Sequence, residues 1–169
     1  MDRGVALVAN IKVLKSMQIP VENLKEILVN DGLITPEVFD ETAFESARMG
    51  HSLADTLISK SILTKDYYNE ILSGYFGAER ANLSSKNADE KVLRLLPQEI
   101  AREKRVILFR QEKDGSIGAA MEDPSNLEII EFLKRYLNSE IKPYLASPED
   151  LNYGLSLYSK EGAEDFRKL

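Results

Sequence analysis

Apolar positions along this chain change their spacing near residue 77. Before it they recur every three or four residues, the spacing of amphipathic helices. After it, short continuous apolar runs alternate with helix-spaced stretches. Val5, Leu7, Val8, Ile11, Leu14 and Met17 fall mostly on one helical face, and Pro20 ends that segment because the residue before proline avoids the α region.

An internal repeat follows. Asn23 to Thr35 (NLKEILVNDGLIT) aligns with Ser52 to Thr64 (SLADTLISKSILT). In each copy a short helix ends at Gly32 or Ser61, a paired apolar step follows, and Thr35 or Thr64 caps a second helix. Thr35-Pro36-Glu37 supplies a cap, a proline suited to the first helical position and an acid for the helix dipole. Val38, Phe39, Ala43 and Phe44 give one second helix its apolar side; Tyr67, Tyr68, Ile71 and Leu72 do so in the other. Residues 21–77 thus read as two helix-turn-helix units. Arg48 and Gly50 read as a helix end, with a cation beside the dipole and a glycine in the left-handed conformation.

In the second half, Ala81-Asn82-Leu83 is a candidate short strand. Val92, Leu93, Leu95 and Leu96 predict a helix, and Pro97 starts another that runs to about Lys104. Val106 to Phe109 and Ile117 to Met121 are strand-like runs joined by Lys113-Asp114-Gly115-Ser116, a hairpin cue because glycine tolerates positive φ. Asp123-Pro124-Ser125-Asn126 stops the second strand, with Asp123 read as a cap for the helix of Leu127 to Leu137. Ile141 to Ala146 is a third strand whose Pro143 suits an edge, since it cannot donate to a ladder. Ser147-Pro148-Glu149-Asp150 opens a last helix. The class expected is α+β: a helical repeat subdomain, then a small three- or four-stranded sheet covered by helices. The division expected is an amphipathic helix over 1–20, the helical subdomain over 21–77, the α/β part over 78–158, and a tail or linker over 159–169.

Composition narrows the function. The 169 residues include no cysteine, so neither a disulfide frame nor a thiolate metal site is available. A net charge of −6 argues against nucleic acid as a partner. No apolar run approaches the roughly 20 residues of a membrane span, and a cytoplasmic location is expected. No catalytic constellation is found and no cofactor or metal is expected. The lone histidine, His51, reads as a solvated loop residue. Asp114-Gly115-Ser116 reads as a turn and not a phosphate loop, and Glu122-Asp123 as a strand end, because adjacent strand residues face opposite ways. The sequence contains no G-x-x-x-x-G-K-[ST].

Pro97-x-Glu99-x-Ala101-x-x-x-Arg105-Val106, the hairpin, and Ala120-Met121-x-Asp123-Pro124 followed by a helix together resemble the N-terminal domain of type II secretion and type IV pilus assembly ATPases. The resemblance runs from about Val21 to Tyr158. It implies a non-enzymatic docking or regulatory domain, binding the cytoplasmic part of an inner-membrane assembly component and so held peripherally at that membrane. A downstream ATPase domain would be a second partner.

One branch of that family binds cyclic di-GMP through tandem motifs resembling R-L-G-x-x-L-x-x-x-G-L-I, each ending in a glutamine. Carried onto this chain, the arginine positions are Asn23 and Ser52, the glycine positions Lys25 and Ala54, and the glutamine positions Ser46 and Tyr75. The leucines remain (Leu24, Leu53, Leu28, Leu57), and a core would need those in any case. The resemblance therefore implies a degenerate motif from which the charge-assisted phosphate contacts are gone, and cyclic di-GMP is not the expected ligand. A dinucleotide sensor with an altered motif and a stand-alone adaptor are the alternatives. For partner binding, Tyr67, Tyr68 and Tyr75 are the candidate residues, as exposed aromatics are enriched at interfaces.

Overall fold

A computed structural model describes residues 19–84 and 86–159, and contacts divide the chain into two compact units, Met1–Tyr75 and Phe76–Leu169. The helix expected over Val5 to Met17 and the tail beyond Ser159 lie outside the described residues.

The first unit is helical: α1 (Val21–Asn30), α2 (Pro36–Met49), α3 (Leu53–Ser59) and α4 (Lys65–Phe76, whose last residue begins the second unit). Residues matched by the repeat are buried in both copies: Leu24 with Leu53, Leu28 with Leu57, and Ile34 with Leu63. The turns share matching backbone bonds. Asp31 N–H donates to Ile27 and Lys60 N–H to Thr56; Leu33 N–H donates to Leu28 and Ile62 N–H to Leu57. These bonds satisfy carbonyls that the helix ends leave open. Both turns need one left-handed residue, Gly32 (φ 70°) in the first and Ser61 (φ 57°) in the second. Thr35 caps α2, and Thr64 Oγ1 accepts from Tyr67 N–H at the start of α4. Gly50 ends α2 at φ 70° as expected.

The second unit runs α5 (Glu90–Leu93), α6 (Gln98–Lys104), β1 (Val106–Gln111), β2 (Ile117–Met121), α7 (Leu127–Leu137), β3 (Ile141–Leu145) and α8 (Pro148–Leu157). The three strands form a mixed sheet in the order β1-β2-β3, antiparallel between β1 and β2 and parallel between β2 and β3. A hairpin can join the first pair; the parallel pair needs the α7 crossover. The hairpin turns at Gly115 (φ 88°), with Asp114 Oδ1 accepting from Ser116 N–H at 2.9 Å. The core is the sheet itself, Val106 to Phe109 and Ile117 to Met121 being buried, with Leu93, Leu96, Ala101, Leu133 and Leu151 packed around it.

Three expectations are corrected. Ala81-Asn82-Leu83 is not a strand: the added pairing is a single parallel bridge between Arg80 and Leu145. Leu83 turns instead into the core of this unit, and a buried leucine is as well served by a loop as by a strand. The helix around Val92 stops after Leu93, so Leu95 is left exposed. Asn126, not Asp123, caps α7, accepting from Ile129 N–H at 3.2 Å, while Asp123 Oδ1 closes a turn onto Ser125 N–H at 2.9 Å. A capping side chain must reach the N–H two or three residues on, and Asp123 sits too early. Pro143 is on the edge strand, where the missing donor costs nothing to the β2 pairing.

Candidate functional site

Several of the positions carried over from the dinucleotide motif bond or pack within the chain. Leu24 is fully buried, while Asn23 is exposed in the first turn of α1. Lys25 Nζ donates to both carboxylate oxygens of Asp40 on α2, at 2.7 and 2.9 Å, and that bond raises the lysine pKa. In the second copy Ser52 is the N-cap of α3; its side chain accepts from Asp55 N–H at 3.4 Å. Leu53 and Ala54 are buried. Ser46 is also buried and donates to the Ala43 carbonyl at 2.9 Å, so it holds its own helix.

The three tyrosines of α4 have different surroundings. Tyr67 donates its hydroxyl to the Asp31 carboxylate in the turn of the other repeat, and this bond raises its pKa. Tyr68 is half-buried, and desolvation pushes its pKa up to about 12. Tyr75 is 45% exposed. Of the three, Tyr67 borders a groove of about 380 Å³, lined also by Asp31, Leu33, Ile62 and Thr64. Leu33 and Ile62 are matched residues of the two repeats, so this groove is where the two turns meet. A second groove, of about 620 Å³, runs beside Met49, His51, Ser52 and Asp55 and is spanned by the Lys60–Glu45 ion pair. His51 is exposed there. Thus each turn is linked to the second helix of the other copy, a relation that spacing along the chain could not reveal.

In the second unit two arginines, Arg105 of the motif and Arg110, act as braces. Arg105 sits in the left-handed region (φ 52°, ψ 50°) at the end of α6. From there it donates to Glu122 Oε1 through Nε and Nη2, at 3.1 and 2.6 Å, and to Asn152 on α8 at 3.0 Å. At the other end of the sheet, Arg110 lies over the rings of Phe109 and Tyr144 and donates to the Tyr144 hydroxyl and to Glu112. Gly118 stands between them on β2. A Cβ there would come within 3.2 Å of Arg110 Cγ, crowding the stem of the side chain that reaches Tyr144. Bonds from Tyr144 and then Arg110 hold the Glu112 carboxyl below its usual range.

Among the described residues no group of three or more His, Cys, Asp or Glu could hold a metal ion, and no helix is long and apolar enough to cross a membrane. The grooves offer apolar walls with hydroxyl and carboxylate groups on their rims.

A helical repeat followed by a mixed three-stranded sheet defines the class, an α+β domain. The MshEN domain model matches residues 76–165, and the chain belongs to that family. The type IV pilus assembly ATPase PilB of Myxococcus xanthus is 25% identical over 138 residues, 82% of this chain and 24% of the relative. PilB of Thermus thermophilus is 25% identical over 141 residues, 83% of this chain and 16% of the relative. The chain thus spans a quarter or less of those relatives. A solved structure described as MshE with cdg superposes with a TM-score of 0.65 at 26% identity, covering 80% of this chain and 97% of that one. The resemblance to the N-terminal domain of type II secretion and type IV pilus assembly ATPases holds.

Proposed function

We propose that this chain serves as the docking and regulatory domain of a type IV pilus or type II secretion ATPase. It would bind the cytoplasmic part of an inner-membrane assembly component, which would hold it peripherally at that membrane, and pass its state to a downstream ATPase domain. The observation that carries this reading is the apolar groove where the repeats meet, with Leu33 44% exposed on its wall and Tyr67 on its rim. An apolar wall rimmed by polar groups is suited to burial by a partner. The test is a titration of the purified chain against the cytoplasmic domain of the cognate component, with Leu33→Asp as the groove variant. Saturable binding that L33D abolishes supports the proposal; no binding at high micromolar overturns it.

A cyclic di-GMP sensor is the second reading, favoured by the 26% identity to MshE, whose structure contains cdg. Against it stand the absence of arginine at Asn23 and Ser52 and the use of Lys25 and Ser46 in internal bonds. Calorimetry with the dinucleotide separates the two, a tight saturable heat deciding for the sensor.

A further inference from the structure

The negative charge of this protein is concentrated in the described part of its helical unit, residues 19–75. Between Ile19 and Tyr75 the chain has ten carboxylates against four lysines and arginines, a balance of −6, which is the balance of the whole chain; all other residues cancel. Of those cations, Lys25 is engaged by Asp40 and Lys60 by Glu45. The groove at the repeat junction belongs to this acidic segment of the chain. Its rim carries Asp31, and Tyr67 feels the negative charge of both Asp31 and Glu70. We propose that this groove receives a basic amphipathic segment, apolar side chains seating on Leu33 and Ile62 and Lys or Arg side chains facing Asp31 and Glu70. Resting on the docking reading, the inference makes the occupant a juxtamembrane segment of the membrane component, since cytoplasmic segments flanking a membrane span are rich in Lys and Arg. Complementary charge of this kind sets the association rate and makes it fall with salt. The same field opposes an anionic dinucleotide.

The test uses the full 169-residue chain and two synthetic peptides with one helical apolar pattern, the first Lys-rich and the second Glu-rich. The cytoplasmic domain of the cognate component is titrated alongside. The Lys-rich peptide is expected to bind, to weaken several-fold as salt rises from low to physiological levels, and to weaken about tenfold with Glu70→Lys, the equivalent of roughly 1.4 kcal/mol. Equal binding of the Glu-rich peptide, or binding indifferent to salt and to E70K, overturns the inference. Binding of the component without binding of the Lys-rich peptide also overturns it and leaves the docking reading intact. Binding of the Lys-rich peptide without the component supports it and overturns the docking reading.

Discussion

The Tyr67 hydroxyl, in the first turn of α4, donates to the Asp31 carboxylate in the turn after α1, so the second repeat is tied to the first at the edge of their shared groove. Tyr67→Phe keeps the ring and removes the bond. The partner carboxylate is exposed and rehydrates, so a small fall in melting temperature is expected, with binding at the groove the more sensitive readout. Unchanged binding of a partner by Y67F would remove this tyrosine from the interface.

Ser61 occupies the left-handed position that Gly32 fills in the other copy. A non-glycine residue there costs about 1 kcal/mol. Ser61→Gly is therefore expected to stabilise the helical unit by about that amount, and Gly32→Ala to destabilise it by at least as much. Urea unfolding monitored by circular dichroism measures both; loss of stability in S61G would show that the serine side chain does more than tolerate its φ.

Arg105 sets backbone strain against three side-chain hydrogen bonds. Arg105→Ala keeps the strain and loses the bonds, and about 1–2 kcal/mol of destabilisation is expected. Arg105→Gly loses the bonds but relieves the strain, so it should fall between Ala and wild type in melting temperature. An Arg105→Ala variant as stable as wild type would mean that the brace contributes nothing.

Ser52 caps α3, and Ser52→Ala is expected to cost about 1 kcal/mol through the lost cap. Ser52→Asp should retain the cap and most of the stability. If both variants melt with wild type, the serine is not held by its capping role.

Burial pushes the Tyr158 phenol up to about 12 from the usual 10, and its hydroxyl bonds the carbonyls of Leu93 and Leu96 at 2.9 and 3.0 Å. Because the folded pKa is the higher one, this stabilisation is complete below pH 10 and is lost as pH rises from about 10 through about 12. Tyr158→Phe is expected to lower stability at neutral pH by about 1 kcal/mol and to flatten the decline over that alkaline range. An unaltered alkaline limb would assign that decline to other groups, Tyr68 first among them.

On α8, Gly154 faces the side chain of Ile107, and an added Cβ would stand 2.8 Å from Ile107 Cγ1. Gly154→Ala is expected to destabilise by about 1–3 kcal/mol despite the helix preference of alanine. Gly74→Ala on α4 meets nothing within 4 Å and should stabilise slightly. Melting temperatures of the pair decide whether contact or propensity dominates.

Local rules read much of this fold directly from the chain. Thr35, Ser147 and the proline after each cap start helices because a cap needs only its next few N–H groups. Ile117 to Met121 was bounded by the apolar run between Ser116 and Glu122, with no distant partner required. The repeat marked Leu24, Leu28, Leu53 and Leu57 as core positions, and all four are buried. Where local cues compete, as between Asp123 and Asn126 for one cap, or between strand and loop at Ala81 to Leu83, geometry decided. The bonds Asp31–Tyr67, Glu45–Lys60, Arg105–Glu122 and Arg110–Tyr144 join residues far apart in sequence. No spacing rule predicts them, because each depends on the packing that brings two elements together. The acidity of residues 19–75 is present in the letters themselves; that Asp31, Leu33, Ile62 and Tyr67 line one groove was decided only by the packing that brings the two turns side by side.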